Sequence, residues 1–372
     1  MKMQTWRRIL CWQVVFAVAL LTAGMARAGQ AGESPRVENA KFETRAVTGS
    51  LAETLRGIVA QADKPEWVAY GVPEISGERS VCCGNYTDGD GMNCGTCRLE
   101  KESGGSGDTT HSNGTMKLEG PRQLFVLFRV EGKQVMKIRS ASEDCTLDAG
   151  GLPFVWLTGV KPAESVTLLE GFVRGANFEG HGDHGVAHGA LSAIALHADA
   201  AADRAFDSFI ASEQPEGLRR QAAFWLGAAR GKAGYQLLEK MAKSDPSSQV
   251  RAHVTFALSV SHEPEALNEM IRMAREDESS HVRGQALFWL AHKAGQKAMG
   301  AIAGAIENDP DTDVKKKAVF ALSQMPKDEG VPKLIEVAKT NRNREVRKQA
   351  MFWLGQSNDP RALEFFQQIL TQ

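Results

Sequence analysis

The sequence has almost no net charge: 44 Lys and Arg stand against 45 Asp and Glu. It carries no basic tail and no acidic block. The electrostatic attraction behind non-specific nucleic-acid binding is therefore missing, and nucleic acid is excluded as an expected partner. A long apolar run is missing too. Residues 9–22 are mostly apolar, but a bilayer span needs roughly 20 such residues. No P-loop, dinucleotide fingerprint or nucleophile elbow occurs, so the common signatures of nucleotide and acyl-transfer chemistry are absent. No cysteine follows Cys145.

What is present begins with a targeting pattern. Lys2, Arg7 and Arg8 precede the apolar run, and Ala26-Arg27-Ala28 follows it as a small-x-small site. This predicts a secretory signal peptide over residues 1–28, cleaved before Gly29. The mature protein is then expected to be exported, periplasmic or extracellular, with no membrane span after cleavage; an uncleaved membrane anchor is the alternative. Cys11 leaves with the peptide. Cys82, Cys83, Cys94, Cys97 and Cys145 remain. In an oxidising compartment they are disulfide candidates, and their odd number leaves at least one over.

The second half repeats. Phe224, Phe256, Phe288, Phe320 and Phe352 follow one another at intervals of 32 residues. Six places before each stands Leu or Val, two before it Ala or Val, and two after it Leu. Those three columns are four residues apart and share one helix face. A second set of apolar columns follows in each unit, and turns such as "KSDPSSQ" and "ENDPDTD" separate the units. Pro, Asp, Ser and Asn there stop one helix and cap the next. Each unit is thus a helical hairpin. Hairpins of this kind bury their apolar stripes only by stacking into a solenoid. A degraded unit with Val186, Ala190 and Ile194 fits the same register and brings the expected number to about six.

The unit has the pattern D-x-x-V-R-x-x-A-x-x-x-L-G, carried by Val346-Arg347, Ala350 and Leu354-Gly355 and their counterparts. It resembles a short bacterial HEAT-like repeat of the phycobilisome-lyase-like type. The whole chain resembles exported bacterial HEAT-repeat proteins without a known activity. The resemblance implies a superhelical scaffold and leaves the partner unnamed, because such repeats serve scaffolds and enzymes alike. Bilin lyases of this type work inside the cell, which conflicts with a signal peptide. Iron hydroxylases built on similar repeats carry several His-Glu pairs. Here only His262-Glu263 occurs, in a turn before Pro264, so a di-iron site is not expected.

The residue after each Phe alternates between Trp225, Trp289 and Trp353 and the alanines Ala257 and Ala321. The period is therefore two hairpins. Large-small alternation suits interdigitated packing; a row of tryptophans lining a groove for a peptide is the other reading. The basic column Arg219, Arg251, Arg283, Lys315 and Arg347 is expected to be structural. Carboxylates such as Asp313 and Glu345, two residues ahead of it, would cap the helices and pair with it. A positive ridge for an acidic partner is the alternative.

The first half does not repeat. Strand patterns at 39–47, 66–75 and 122–142 and helix patterns at 51–63 and 162–174 predict an α+β domain with a small sheet. The stretch between Cys82 and Cys97 is read as loop, and the Gly/Ser-rich segment 101–114 as flexible. The cysteines suit disulfides that staple this loop, zinc on four thiolates, or redox chemistry at Cys94-x2-Cys97. Arg98 stands where a histidine would mark haem attachment. At the junction, His181, Asp183, His184 and His188 cluster. They suit zinc or copper, with His184 and His188 on one face if a helix has begun there; a solvated linker is the alternative.

The reading is a mixed fold: signal peptide 1–28, an α+β domain over 29–180, and an all-α HEAT-like superhelical solenoid of about six 32-residue hairpins over 181–372. The expected function is a non-enzymatic exported scaffold that binds a protein or peptide without a cofactor. A metal-binding or thiol-redox role at the Cys and His clusters is the alternative.

Overall fold

A computed structural model describes residues 34–76, 79–82, 85–88, 92–100, 107–111, 122–176, 178 and 185–371. The expected signal peptide lies outside them. The described residues belong to one compact unit. None of their helices is long and apolar enough to cross a membrane.

The first half is layered. A five-stranded sheet runs in the order β2 (Lys41–Ala46), β11 (Pro153–Thr158), β3 (Glu66–Pro73), β8 (Gln123–Glu131) and β9 (Gln134–Ser142). β11 is parallel to both β2 and β3, and the remaining pairs are antiparallel. Helix α1 (Leu51–Gln61) connects β2 to β3. Ser50 and Glu53 close its N-terminus as a capping box, each side chain taking the other's backbone N–H. With α2 (Pro162–Val173), α1 covers one sheet face: Leu51, Leu55, Val166 and Leu169 pack on Val68, Tyr70, Val126 and Phe128.

The other face carries Trp67, Phe125, Leu127, Phe154 and Trp156, the residues that alternate with the first set along the strands. They are covered by a second sheet, in the order β1 (Arg36–Glu38), β10 (Thr146–Asp148), β6 (Met92–Arg98) and β7 (Gly107–His111). β4 (Arg79–Cys82) and β5 (Asn85–Asp88) form a separate hairpin. The domain therefore contains more sheet than the sequence suggested. The stretch read as a Cys-bearing loop is largely strand, and β7 lies inside the segment read as flexible. Backbone pairing with neighbouring strands supplies order there that side-chain patterning does not announce.

The second half is six helical hairpins in series. They are α3 (Val186–Leu196) with α4 (Ala201–Phe209), α5 (Glu216–Ala229) with α6 (Gly231–Ser244), and α7 (Ser248–Val260) with α8 (Glu265–Glu276). Next come α9 (Ser280–Ala294) with α10 (Gln296–Asn308), α11 (Thr312–Gln324) with α12 (Lys327–Thr340), and α13 (Arg344–Gln356) with α14 (Pro360–Leu370). The Ala column at 222, 286, 318 and 350 is fully buried, as are Val254, Leu258, Leu290 and Leu322. First helices pack closely on first helices, whereas successive second helices touch less. The first-helix side is therefore the inner side of the stack.

The two halves share one core. Helix α3 lies on α2 and β9. Gly189 permits the approach, since a Cβ there would sit 2.1 Å from the Ile138 carbonyl oxygen. Ile75 N–H donates to Leu196 O at 2.8 Å, and Ala198 N–H to Pro73 O at 3.0 Å. Apolar burial is continuous from Leu51 through the last hairpin at Phe365, so the sheet closes the front end of the solenoid, where an unstacked hairpin would expose its apolar face.

Candidate interaction ridge

The inner side of the solenoid carries two ladders, one buried and ionic, the other half-exposed and aromatic. In the first, Arg219 grips Asp245 with Nε–Oδ2 at 2.9 Å and Nη2–Oδ1 at 3.1 Å. Arg251 grips Asp277 at 2.9 and 3.1 Å, and Arg283 grips Asp309 at 2.8 and 3.0 Å. All six side chains are nearly inaccessible. The third guanidinium nitrogen of Arg251 donates to Asp245 O at 2.8 Å, and that of Arg283 to Asp277 O at 2.9 Å. Each of these arginines therefore clamps the turn before its hairpin to the turn after it. Hydrogen bonds donated to the aspartate carboxylates hold the Arg251 and Arg283 guanidinium pKa values above their ordinary level.

The acidic partners differ from those expected. Asp313 pairs with Lys316 and Glu345 with Lys348, both on the surface. Capping falls to Asp311 and Asn343, which accept from the backbone N–H of Asp313 and Glu345. Lys315 and Arg347 follow Asp313 and Glu345 by two residues, but their side chains reach back to the preceding turn, where Lys315 donates to Glu307 O and Arg347 to Asn341 O. The Asp245, Asp277 and Asp309 column, with Asn341 as its last member, repeats at 32 residues as well; that period was available in the sequence as the signal for the true partners.

The aromatic ladder runs along the first helices. Phe224 and Phe256 stack at 6.0 Å with ring planes 15° apart, and Phe288 and Phe320 at 6.0 Å and 10°. Between these pairs a tryptophan is wedged: Trp289 lies 4.7 Å from Phe256 and 4.9 Å from Phe288. Trp353 likewise lies 4.9 Å from both Phe320 and Phe352. Trp225 meets Phe224 at 5.2 Å. Helix seams thus alternate between face-to-face phenylalanines and a tryptophan wedge. At the close α5/α7 seam a Cβ on Gly227 would sit 2.1 Å from Ala257 O, and Ala257 is fully buried. No indole fits at that position, which explains the Trp/Ala alternation. All three tryptophans are half-buried, and Phe352 is 54% exposed.

A third polar constellation lies in the core. Tyr70 Oη and Ser165 Oγ are 2.8 Å apart, Ser165 Oγ and His197 Nε2 are 2.8 Å apart, and His197 Nδ1 lies 2.6 Å from Ala193 O. A carbonyl only accepts, so Nδ1 carries the proton, Nε2 accepts from Ser165, and Ser165 accepts from Tyr70. Burial lowers the His197 pKa to about 4 and raises that of Tyr70. A Ser-His pair invites a catalytic reading. Here all three side chains are fully buried, and they join β3, α2 and the end of α3. The network is a structural tie.

The sequence-predicted site residues fall in different places. Cys97 and Cys145 are buried in the core between the two sheets, with Cys97 opposite Leu147 in the β6/β10 register. Cys145 Sγ lies 3.2 Å from Val81 O, beside the end of β4. Cys82 and Cys94 lie on β4 and β6, and Cys83 lies outside the described residues. So do His181, Asp183 and His184. His188 sits in the first turn of α3, its ring 4.9 Å from Phe178. That helix starts at Val186 among the described residues, and the expected pairing of His184 with His188 lies outside them. Among the described residues no group of three or more His, Cys, Asp or Glu is placed to hold a metal.

Residues 208–291 and 299–372 match the family of HEAT repeats. The C-terminal region is built of HEAT repeats. Solved structures similar to part of the chain include the YibA protein of E. coli, at 20% identity over 55% of this chain and 76% of that one, with a TM-score of 0.35. The complex of CpcE and CpcF of phycocyanin lyase from Nostoc sp. PCC7120 is 18% identical over 55% of this chain and 80% of that one, with a TM-score of 0.31. Human deoxyhypusine hydroxylase is 17% identical over 55% of this chain and 77% of that one, with a TM-score of 0.24. No curated protein matches the chain.

Proposed function

We propose that the protein is an exported scaffold whose HEAT repeats present their first-helix ridge to a protein or peptide partner, with no chemistry of its own. The aromatic ladder carries this reading. Its rings are ordered by one another, so little entropy is lost when a partner covers them; aromatic residues are enriched at interfaces, and tryptophan at binding hot spots. Export rests on the pattern over residues 1–28. Cys97 and Cys145 are buried in the core between the sheets, and in the oxidising compartment that export implies they are expected in disulfides. The sheet domain acts as a rigid front cap that fixes the direction of the ridge.

The test is site-specific photo-crosslinking in the native host. A photoreactive residue at Phe320 should give a discrete partner adduct, and one at Lys240 on the second helix α6 should not. The same adducts from both positions, or none from Phe320, would overturn the reading.

A further inference from the structure

The two edges of the five-stranded sheet are treated differently. At one edge β9 packs against α3 and β4. The other edge is open: β2 pairs with β11 alone, and all six of its residues, Lys41–Ala46, are exposed. Phe42 stacks on Phe154 at 5.8 Å and still stays 42% exposed. The β1 edge of the second sheet, by contrast, is three residues long. An open edge is a template for another strand, and proteins shorten or cover an edge where no pairing is wanted. The register fixes which atoms of β2 face outward. Val47 N–H donates to Thr158 O at 2.9 Å, so the odd-numbered residues of β2 aim their N–H and C=O at β11. That direction alternates along a strand, so Phe42, Thr44 and Ala46 aim theirs away from the sheet.

We propose that the β2 edge pairs with the same edge of a second copy of the chain, antiparallel about a two-fold axis at Thr44. In that register Phe42 faces the partner's Ala46 and Thr44 faces the partner's Thr44, so outward backbone groups meet outward backbone groups throughout. Glu43 stands opposite the partner's Arg45, and Arg45 opposite the partner's Glu43. Within one strand Arg45 Nε donates to Glu43 Oε1 at 2.7 Å and Nη2 to Oε2 at 3.2 Å. Pairing breaks neither bond. The two exposed ion pairs meet head to tail, and each charge gains an opposite one across the seam, where Arg45 Nη1 reaches the partner's carboxylate. The neighbouring registers are worse. An axis at Glu43 or Arg45 opposes that charge to its own copy, and like charges directly opposite are destabilising. An axis at Phe42 or Ala46 runs past the strand ends, into Asn39 at φ 50° or into Thr48, whose N–H already donates to Thr54 Oγ1 at 3.1 Å. This match between β2 and its own reverse selects a second copy over a strand of another protein. The dimer carries two solenoid ridges, so a partner with two docking segments gains from linked contacts.

The test is the solution mass of the mature chain, by light scattering and sedimentation from about 1 to about 100 µM. A dimer is expected, with amide exchange at Phe42, Thr44 and Ala46 slowing as concentration rises. Thr44→Pro removes an outward donor from each strand and is a substitution that an edge strand tolerates; it should leave a monomer with an unchanged circular dichroism spectrum. Arg45→Glu sets Glu against Glu at both symmetric contacts and should raise the dissociation constant at least about ten-fold. The double variant E43R/R45E restores every opposite pair and should recover the dimer, a rescue that a merely structural role for either residue would not produce. If Thr44→Pro fails to fold, the two charge variants decide alone. A chain that stays monomeric over the whole range overturns the proposal. So does a dimer that survives both Thr44→Pro and Arg45→Glu, since its interface then lies elsewhere. A dimer that is lost with Thr44→Pro but ignores Arg45→Glu, or that E43R/R45E does not recover, overturns the register and with it the choice of a second copy.

Discussion

Replacing Asp277 by Ala tests whether the ionic ladder holds consecutive hairpins together. The Arg251 and Asp277 side chains are only 7% and 6% exposed. The variant leaves a buried guanidinium that still donates to Asp245 O at 2.8 Å but has lost both carboxylate bonds. Its other carboxylate neighbour, Glu278, is 85% exposed, so that attraction is screened by water. Breaking a buried pair from one side costs about 3–5 kcal/mol. The Ser279 N–H, which donates to Asp277 Oδ1 at 2.8 Å, also loses its acceptor, at about 1 kcal/mol. The molecule contains its own control: where Lys315 and Asn341 occupy the corresponding positions, Lys315 donates to Glu307 O at 2.7 Å and Asn341 Oδ1 still accepts from Asn343 N–H at 2.9 Å. Asp277→Asn should therefore keep the turn and lose only the charge, with a smaller effect. Urea unfolding gives the total. Amide hydrogen exchange gives the location, because repeat stability is a sum of neighbour terms. Protection should fall first in α7 to α10. A loss below about 1 kcal/mol, or a uniform rise in exchange along the solenoid, would refute the clamp.

Gly189→Ala should loosen the sheet from the first hairpin by about 1–3 kcal/mol through overpacking against Ile138, seen as faster exchange in α3 and β9 with α11 to α14 unchanged. His197 should make stability depend on pH. Its folded pKa lies at about 4, below the ordinary 6.5, so the unfolded state binds the proton first. Stability is complete above pH 6.5 and falls as pH drops toward 4, by about 3 kcal/mol in all, and His197→Gln should flatten that part of the profile in urea titrations at stepped pH. Trp289→Ala opens the seam between α7 and α9; as the ring is only half-buried, a loss of about 2–3 kcal/mol is expected, below that of a fully buried tryptophan. Peptide mapping without reduction should find Cys97 and Cys145 in disulfides, and recovery of both as free thiols from the exported protein would remove the oxidised framework.

The solenoid was legible because its signal is repeated. Each column of the 32-residue unit is written several times, so one departure such as Lys315 does not hide the rule. The sheet domain was read only where strands alternate or helices are amphipathic. β11 is central, paired on both edges, and its residues Phe154, Val155, Trp156 and Leu157 are buried on both faces. Such a strand is a continuous apolar run without period, and it passed unread between glycines. β4, β5 and β7 were missed for the opposite reason. They are short and mostly polar, so no alternation of apolar residues marks them in the sequence. The ionic ladder was half-read: the arginine column was seen, but its partners lie 26 residues onward, where the turn after the hairpin returns to it. The 32-residue period of the aspartates marks them as candidates in the sequence, and the folded hairpin shows that the distance is short.

The two roles of the aromatic column are not alternatives. In a close seam the phenylalanine faces are spent on each other, and in a wedged seam the tryptophan takes both neighbouring rings. In either case the rings lie across the junction between helices and remain half-exposed on the inner side. Packing therefore fixes the ridge that a partner would meet. The doubled period carries a consequence for that partner. Equivalent tryptophans recur every second helix, about 18 Å apart at ordinary helix spacing, which is five or six residues of extended chain at about 3.3 Å each. A segment that uses two or more wedges must place its apolar residues at about that interval. A partner with randomly spaced apolar residues would reach one wedge at a time and gain none of the affinity that comes from linked contacts.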